Sequence, residues 1–174
     1  MSALDHVPTD RNFLNPVNYT FQIKRAPSIN FFVQTVNIPG FTIPPAGQAT
    51  PMIRIPKPGD HISYQDLEIS FKVDEDMQNY FELYNWMKAL GFPDNTAQYK
   101  ALRDQDRSAG LGIYSDIQLL VLSSNRNPIF SVTYKDCFPY ALGSLQFDTR
   151  PVDIDYIACT AAFKYRTFDV ERIT

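Results

Sequence analysis

Residues 66–76 read DLEISFKVDED, and their pattern decides which fold we predict. Leu67, Ile69, Phe71 and Val73 alternate with polar residues, and a strand with one buried face repeats its side chains with this period of two. Three carboxylates follow at once, and beyond them the apolar residues recur every three or four positions. We therefore predict a strand that leads directly into an amphipathic helix.

The helix is predicted over residues 77–90, with a broad apolar side. Asp74 or Asp76 is expected to cap its first amides, and Gly91 is expected to end it. The residues expected to pack against a sheet are Tyr80, Phe81, Tyr84 and Met87. Trp86 widens the apolar band, and we expect it to lie toward a boundary between subunits.

Further strand patterns occur on both sides of this element. Residues 17–24 alternate apolar with polar side chains, and residues 31–38 end at a Pro-Gly pair. Residues 114–122 are apolar on both faces, which predicts a central strand. The remaining expectations are strands at residues 129–135 and 154–168, a loop at residues 137–140 and a short helix near residues 96–103.

A passage rich in proline precedes the deciding strand. Residues 39–58 contain six prolines, and proline has no amide donor, so this passage cannot form a central strand. Pro58-Gly59 is expected at the centre of a type II turn that pairs residues 52–55 with residues 67–73. The tip, at about residues 50–63, should project from the core and become ordered by neighbouring subunits. The assembly residues predicted on this arm are Arg54, Ile55, Lys57, Pro58, Gly59, Asp60 and His61.

Composition limits the class of protein. The 174 residues suit a single domain, 1–174, that begins with a polar arm at residues 1–12. Sixteen basic and 19 acidic residues give a net charge of −3, which does not fit a protein that wraps nucleic acid. No signal peptide is expected at the start, and no apolar run approaches the roughly 20 residues that span a bilayer. Cys137 and Cys159 are expected to be free thiols in a reducing compartment.

Several residues are candidates for catalysis or metal binding, and none of them forms a convincing site. The acidic run at residues 74–76 lacks the later glycine and glutamate of a calcium loop, so helix capping explains it better. Asp153 and Asp155 share one strand face and could serve as an acid/base pair, but a solvated face is the commoner meaning. His6 and His61 stand alone. We predict no enzyme activity, no metal and no cofactor.

The order of these elements resembles the tail tube proteins of contractile-tailed bacteriophages and, more distantly, the ring-forming tube protein of type VI secretion. The likeness rests on the segment that ends in Ile38-Pro39-Gly40, the proline-rich passage, the hairpin through Pro58-Gly59-Asp60, and the strand, acidic run and helix with Trp86. It implies a mainly β fold, a β-sandwich or half-open barrel of two packed antiparallel sheets, with one flanking helix and a long hairpin arm.

The resemblance also implies a function. Copies of the chain would form rings, hexamers by the family pattern, that stack into the conduit through which double-stranded DNA leaves the virion. The implied partners are copies of itself, sheath, and baseplate or terminator proteins, assembled in the host cytoplasm without a membrane. A baseplate hub, a tube initiator and a tail completion protein share the fold and stay open as alternatives, and a small β-sandwich binding module is the alternative from another class.

A conduit for DNA should not attract phosphates. We therefore expect a channel without net positive charge, because a basic wall would hold the passenger and make its transit dependent on salt. Glu68, Asp153 and Asp155 are the residues expected on the lumen wall, since each falls on an outward strand face.

Overall fold

The computed structural model describes residues 13–91, 96–105, 112–150 and 156–173. The strands are β1 (Tyr19–Ile23), β2 (Val33–Val36), β3 (Phe41–Thr42), β4 (Ala46–Ala49), β5 (Arg54–Lys57), β6 (Ser63–Tyr64), β7 (Leu67–Lys72), β8 (Ser115–Leu122), β9 (Pro128–Leu142), β10 (Ala158–Lys164) and β11 (Thr167–Arg172). The helices are α1 (Gln78–Gly91), α2 (Thr96–Arg103) and a 3-10 turn at Pro27–Ile29.

The longest strand, β9, belongs to two antiparallel sheets. Its first half pairs with β8 and β11, and β8 pairs in turn with β1, which completes the first sheet. Its second half pairs with β10, followed by β7 and β2, which completes the second sheet. The fold is therefore mainly β, with two sheets packed as a sandwich, and the prediction of that class is confirmed.

The deciding strand, β7, lies inside the second sheet. Leu67, Ile69 and Phe71 are buried while the residues between them face outward, as the alternation predicts. The strand pairs with β10 in a register that sets Phe71 beside Cys159 and Leu67 beside Phe163. Because partners in a ladder share a face, the apolar sides of both strands enter the same core.

The strand β9 changes sheets at a bend. Asp136 has a φ of 55°, in the left-handed region that an aspartate tolerates better than most residues. Its amide donates to Asp116 Oδ1 at 3.1 Å, and Arg166 Nε lies 3.2 Å from Asp136 Oδ2. Arg166 occupies the interval between β10 and β11, and its amide donates to Lys135 O at 3.0 Å. The bend of β9 and the interval between β10 and β11 therefore lie side by side and are bonded to each other.

Two expectations near this corner are wrong. Residues 137–140 do not form a loop, because β9 continues through them, and Pro139 lies in the ladder opposite Phe163. The final strand predicted over residues 154–168 is instead two strands, since the corner separates β10 from β11. Two other expectations are confirmed. The short helix predicted near residues 96–103 is α2. The strand predicted at residues 114–122 is β8, which is central because it pairs with β1 on one side and β9 on the other.

The helix α1 packs on a different side from the one predicted. Leu83 and Trp86 are buried in the core, whereas Phe81 and Tyr84 are 47 % and 44 % exposed. Trp86 contacts the Phe163 ring, with centroids 6.4 Å apart, and its indole donates to Ile113 O at 3.2 Å. The prediction that Phe81 and Tyr84 face the sheet, with Trp86 at a subunit boundary, is therefore wrong for the packing within one chain. Tyr80 and Met87 are partly buried at the margin of this contact.

A buried side-chain amide, that of Asn79, helps to set the orientation of α1 against the sheet. Asn79 is fully buried, donates to Lys72 O at 2.8 Å, and accepts from the Asp74 amide at 3.3 Å. These bonds join the first turn of α1 to the end of β7, and a buried polar side chain needs such partners. Asp74 does not cap the helix; its carboxylate accepts from the Glu75 amide before the helix begins.

The two sides of α1 allow a matched test. Leu83→Ala should lower the free energy of unfolding by about 2–5 kcal/mol, because it removes a fully buried side chain from a packed core. Phe81→Ala, on the exposed side of the same helix, should cost only about 1 kcal/mol. Urea unfolding followed by tryptophan fluorescence measures both. A loss for Phe81→Ala as large as that for Leu83→Ala would contradict this orientation.

Candidate assembly surface

The arm is a hairpin built from the proline-rich passage itself. Phe41 pairs with Tyr64 at its root, and β4 pairs with β5 farther out, from Ala46 with Lys57 to Ala49 with Arg54. The tip is therefore at residues 50–53. The predicted pairing of residues 52–55 with residues 67–73 is wrong, because β7 pairs instead with β2 and β10.

Pro58-Gly59 does not form the tip, nor the predicted type II turn. The φ of Gly59 lies outside the left-handed region that the second central position of that turn requires. A Cβ at Gly59 would stand 2.2 Å from Pro44 O, so glycine is needed here because the two sides of the arm approach closely. The pair lies on the return side of the hairpin, between β5 and β6.

The predicted exposure of the arm is confirmed. Every residue of β4 and β5 is exposed, including Ile55, and Met52 at the tip is 99 % exposed. Of the seven predicted assembly residues, Gly59 is partly buried and the others are exposed: Arg54, Ile55, Lys57, Pro58, Asp60 and His61. An isolated two-stranded hairpin is marginally stable in water, so apolar side chains on such an arm favour a covered state.

The root of the arm is fixed by aromatic rings. Five of them, from the arm and from both sides of the corner, have neighbouring centroids between 5.3 and 6.4 Å apart: Phe41, Tyr64, Tyr134, Tyr165 and Phe168. Aromatic pairs at these separations stabilise beyond the area that they bury. We call this set the root cluster. It holds the base of an otherwise exposed hairpin against the sandwich.

Polar groups reinforce the root cluster. Tyr165 Oη donates to Gln65 O at 2.8 Å. Beside it, the carboxylate of Asp66 accepts from both Lys164 Nζ and Tyr140 Oη. The bond from Lys164, and then the bond from Tyr140, hold the pKa of Asp66 below its usual range. The carboxylate is therefore charged near neutral pH. It joins the segment that follows the arm to the end of β10, through Lys164, and to the end of β9, through Tyr140.

The outer face of the second sheet is the other open surface. It carries small neutral side chains on adjacent strands, with Glu68 exposed among them and with Lys72 and Lys164 at the ends of β7 and β10. A shallow groove of about 470 Å³ follows this face, lined by Thr35, Ser70, Ala141, Thr160 and Ala162 together with Glu68. Gly143 closes one end, where a Cβ would lie 2.7 Å from Thr160 Oγ1. Of the three residues predicted for a lumen wall, Asp153 and Asp155 lie outside the described residues.

The described chain offers little for catalysis. Within residues 13–91, 96–105, 112–150 and 156–173, the His, Cys, Asp and Glu side chains form no group of three suited to a metal ion. Burial raises the pKa of the Cys137 thiol to about 12 and also raises that of Cys159, which leaves neither as a reactive thiolate. His6 lies outside the described residues, and His61 is exposed on the arm. Neither described helix has the length and apolar composition needed to cross a bilayer.

A mainly β sandwich with an anchored, exposed hairpin and one open sheet face is an architecture suited to contacts with other subunits. The chain belongs to the phage tail tube protein family, whose model matches residues 6–171. It is 26 % identical over 168 residues to the tail tube terminator protein of Enterobacteria phage T4, a match that covers 92 % of this chain and 90 % of the relative.

Two solved structures have the same fold at low sequence identity. One is the tube terminating cap of the anti-feeding prophage, with 11 % identity, a TM-score of 0.61, and coverage of 99 % of this chain and 100 % of that one. The other is from the sheath-tube complex of the PVC extracellular contractile injection system, with 10 % identity, a TM-score of 0.59, and coverage of 99 % of both chains. The chain is thus a contractile tail tube-type component, and the expected family is confirmed.

One hydroxyl in the root cluster provides a second prediction. Tyr134 is fully buried, and its Oη has no hydrogen-bond partner within the described part of the chain. A buried polar atom without a partner costs about 1–3 kcal/mol, so Tyr134→Phe should leave the free energy of unfolding unchanged or raise it. Tyr165→Phe should lower it by about 0.5–1.5 kcal/mol, because the bond to Gln65 is lost. Paired thermal and urea unfolding measures the two variants, and a clear loss in Tyr134→Phe would contradict the unpaired hydroxyl.

Proposed function

We propose that this chain forms the ring that terminates the tube of a contractile phage tail. The observation that carries the proposal is the match to a tail tube terminator over nine-tenths of both chains. The same fold in a tube terminating cap supports it. Since the PVC tube structure shares the fold as well, a repeating tube subunit is the second candidate.

The surfaces of the subunit support assembly with copies of itself. The arm extends exposed apolar residues away from the core, and the root cluster fixes where it leaves the sandwich. A contact between an arm and a different surface on the next copy is heterologous, and such contacts close into rings when the rotation allows. A ring of six is the pattern expected from the family. The assembly residues of the arm are those named above, and Phe81 and Tyr84 add an exposed aromatic patch on α1.

The outer face of the second sheet is our candidate for the lumen wall. Small neutral side chains would leave the DNA hydrated. Lys72 and Lys164 share this face, but Lys164 is paired with Asp66 and Glu68 offsets the charge of Lys72, so the face has no net positive charge. In this proposal the DNA passes without specific binding. The tube, the sheath and the terminator or baseplate proteins are the neighbours in the tail, and assembly takes place in the host cytoplasm with no membrane involved.

A structural role accounts for the chain without catalysis. Its relatives are named for the tube that they build or end, and buried thiols and scattered carboxylates fit that role. We therefore propose that it is not an enzyme and needs no cofactor.

Electron microscopy separates the two candidates. The purified protein should form rings, and when it is added to the tube subunit of the same tail it should shorten the tubes and appear at one end only. Gold labels on a terminal tag would report its position. Labels spaced along the whole tube would instead identify a repeating subunit. If the protein stayed monomeric at all concentrations and with all partners, the proposed ring would be refuted.

The lumen assignment has its own test. Glu68→Lys changes the charge of each subunit by two units on the proposed wall, so rings of this variant should retain DNA at low salt and release it as salt rises. Glu171→Lys makes the same change at an exposed position on β11 and serves as the control. Electrophoretic mobility of DNA with each ring measures retention. Equal retention by both variants would show that Glu68 has no special access to the channel.

A further inference from the structure

The tip of the arm determines which backbone groups of the hairpin face outward. The Thr50 amide donates to Ile53 O at 3.2 Å, and the Ile53 amide donates to Thr50 Oγ1 at 3.2 Å, so these two residues form a bonded pair. In an antiparallel ladder, bonded and non-bonded pairs alternate, and the amides and carbonyls of non-bonded pairs point away from the partner strand. The non-bonded pairs of this hairpin are Ala49 with Arg54 and Gly47 with Pro56.

The two edges of the hairpin therefore differ. On β5 the outward positions are Arg54 and Pro56, and proline supplies no amide there. Lys57 adds a second charge beside it, and charges and prolines are the devices that block an edge against strand addition. On β4 the outward positions are Gly47 and Ala49, which keep both donor and acceptor and have the smallest side chains. Within the described residues, β4 pairs only with β5, so its outer edge is open.

We propose that the outer edge of β4 accepts an edge strand from a second copy of this chain, so that the arm is fixed in the assembly by backbone hydrogen bonds to Gly47 and Ala49. Strand addition of this kind derives its affinity from main-chain hydrogen bonds, so it suits an edge whose outward amides and carbonyls are not blocked. The inference rests on the proposed ring and specifies the contact that closes it.

Charge selects a second copy as the occupant. The arm, residues 41–64, contains two basic residues, Arg54 and Lys57, and one acidic residue, Asp60. The rest of the chain carries 14 basic and 18 acidic residues, a net charge of −4. A basic arm is attracted to the acidic body of its own kind, and complementary charge raises the rate of encounter and fixes the register. Like-charged arms repel each other, which disfavours pairing between two arm tips.

A proline substitution tests the edge. Ala49→Pro removes one outward donor and leaves the bonds between β4 and β5 in place, so the concentration needed for ring formation should rise about tenfold or more. Ala49→Val adds similar bulk but keeps the amide, and it should assemble like the unmodified protein. Pro56→Ala gives the β5 edge a donor and should also leave assembly unchanged. Sedimentation velocity over a concentration series measures all three, with circular dichroism as the check on folding.

Hydrogen exchange supplies the second readout. On ring formation the amides of Gly47 and Ala49 should become protected, whereas the outward amide of Arg54 should continue to exchange. Equal assembly of the Ala49→Pro and Ala49→Val variants would overturn the edge assignment, and so would protection of the Arg54 amide without protection of the Gly47 amide. Either result would leave the terminator proposal standing. If the unmodified protein never self-associates, both proposals fall together. Rings that form but do not end tubes would refute the terminator role alone.

Discussion

The whole structure depends on one strand that serves two sheets. The 15 residues of β9 pair with β8 and β11 before the bend and with β10 after it. The bend needs a left-handed Asp136, and the ion pair with Arg166 binds the neighbouring segment at the same point. Without this corner the two sheets would have no shared ladder, and the apolar faces of β7, β8 and β10 would not enclose one core.

The corner also determines where the arm leaves the body. Tyr134 and Phe168 come from the paired strands β9 and β11, and Tyr165 comes from the interval between β10 and β11. Phe41 and Tyr64 reach them from the first and last strands of the arm. The hairpin beyond them is fully exposed along β4 and β5, so its direction is set only at its root. A rigid root with an exposed outer hairpin is a suitable arrangement for a contact that another subunit completes, since the arm is aimed before the partner arrives.

The exposed edges of the arm and the exposed face of the second sheet are consistent with the proposed assembly. One arm edge is closed by Pro56 and by charge, and the other is open at Gly47 and Ala49. One sheet face carries mostly small neutral residues, with Glu68 among them and Lys72 and Lys164 at the strand ends. A subunit that ends a tube must bind its ring neighbours and avoid unlimited strand pairing, and the blocked edge of β5 meets the second requirement.

The strand periods, the two helices, the exposure of the arm and the family can be predicted from the sequence, because each depends on local alternation, proline content or element order. Which residues contact one another became known only from the packing of the folded chain. The apolar band of α1 is so broad that the sequence does not show whether Phe81 or Leu83 is buried. In the structure, Leu83 and Trp86 pack against the sheet. The proline-rich passage paired within itself because β7 was already bonded on both sides. The root cluster joins residues as distant in sequence as Phe41 and Phe168, and no local pattern records such a contact. Local physics specifies the elements, whereas long-range packing specifies their partners.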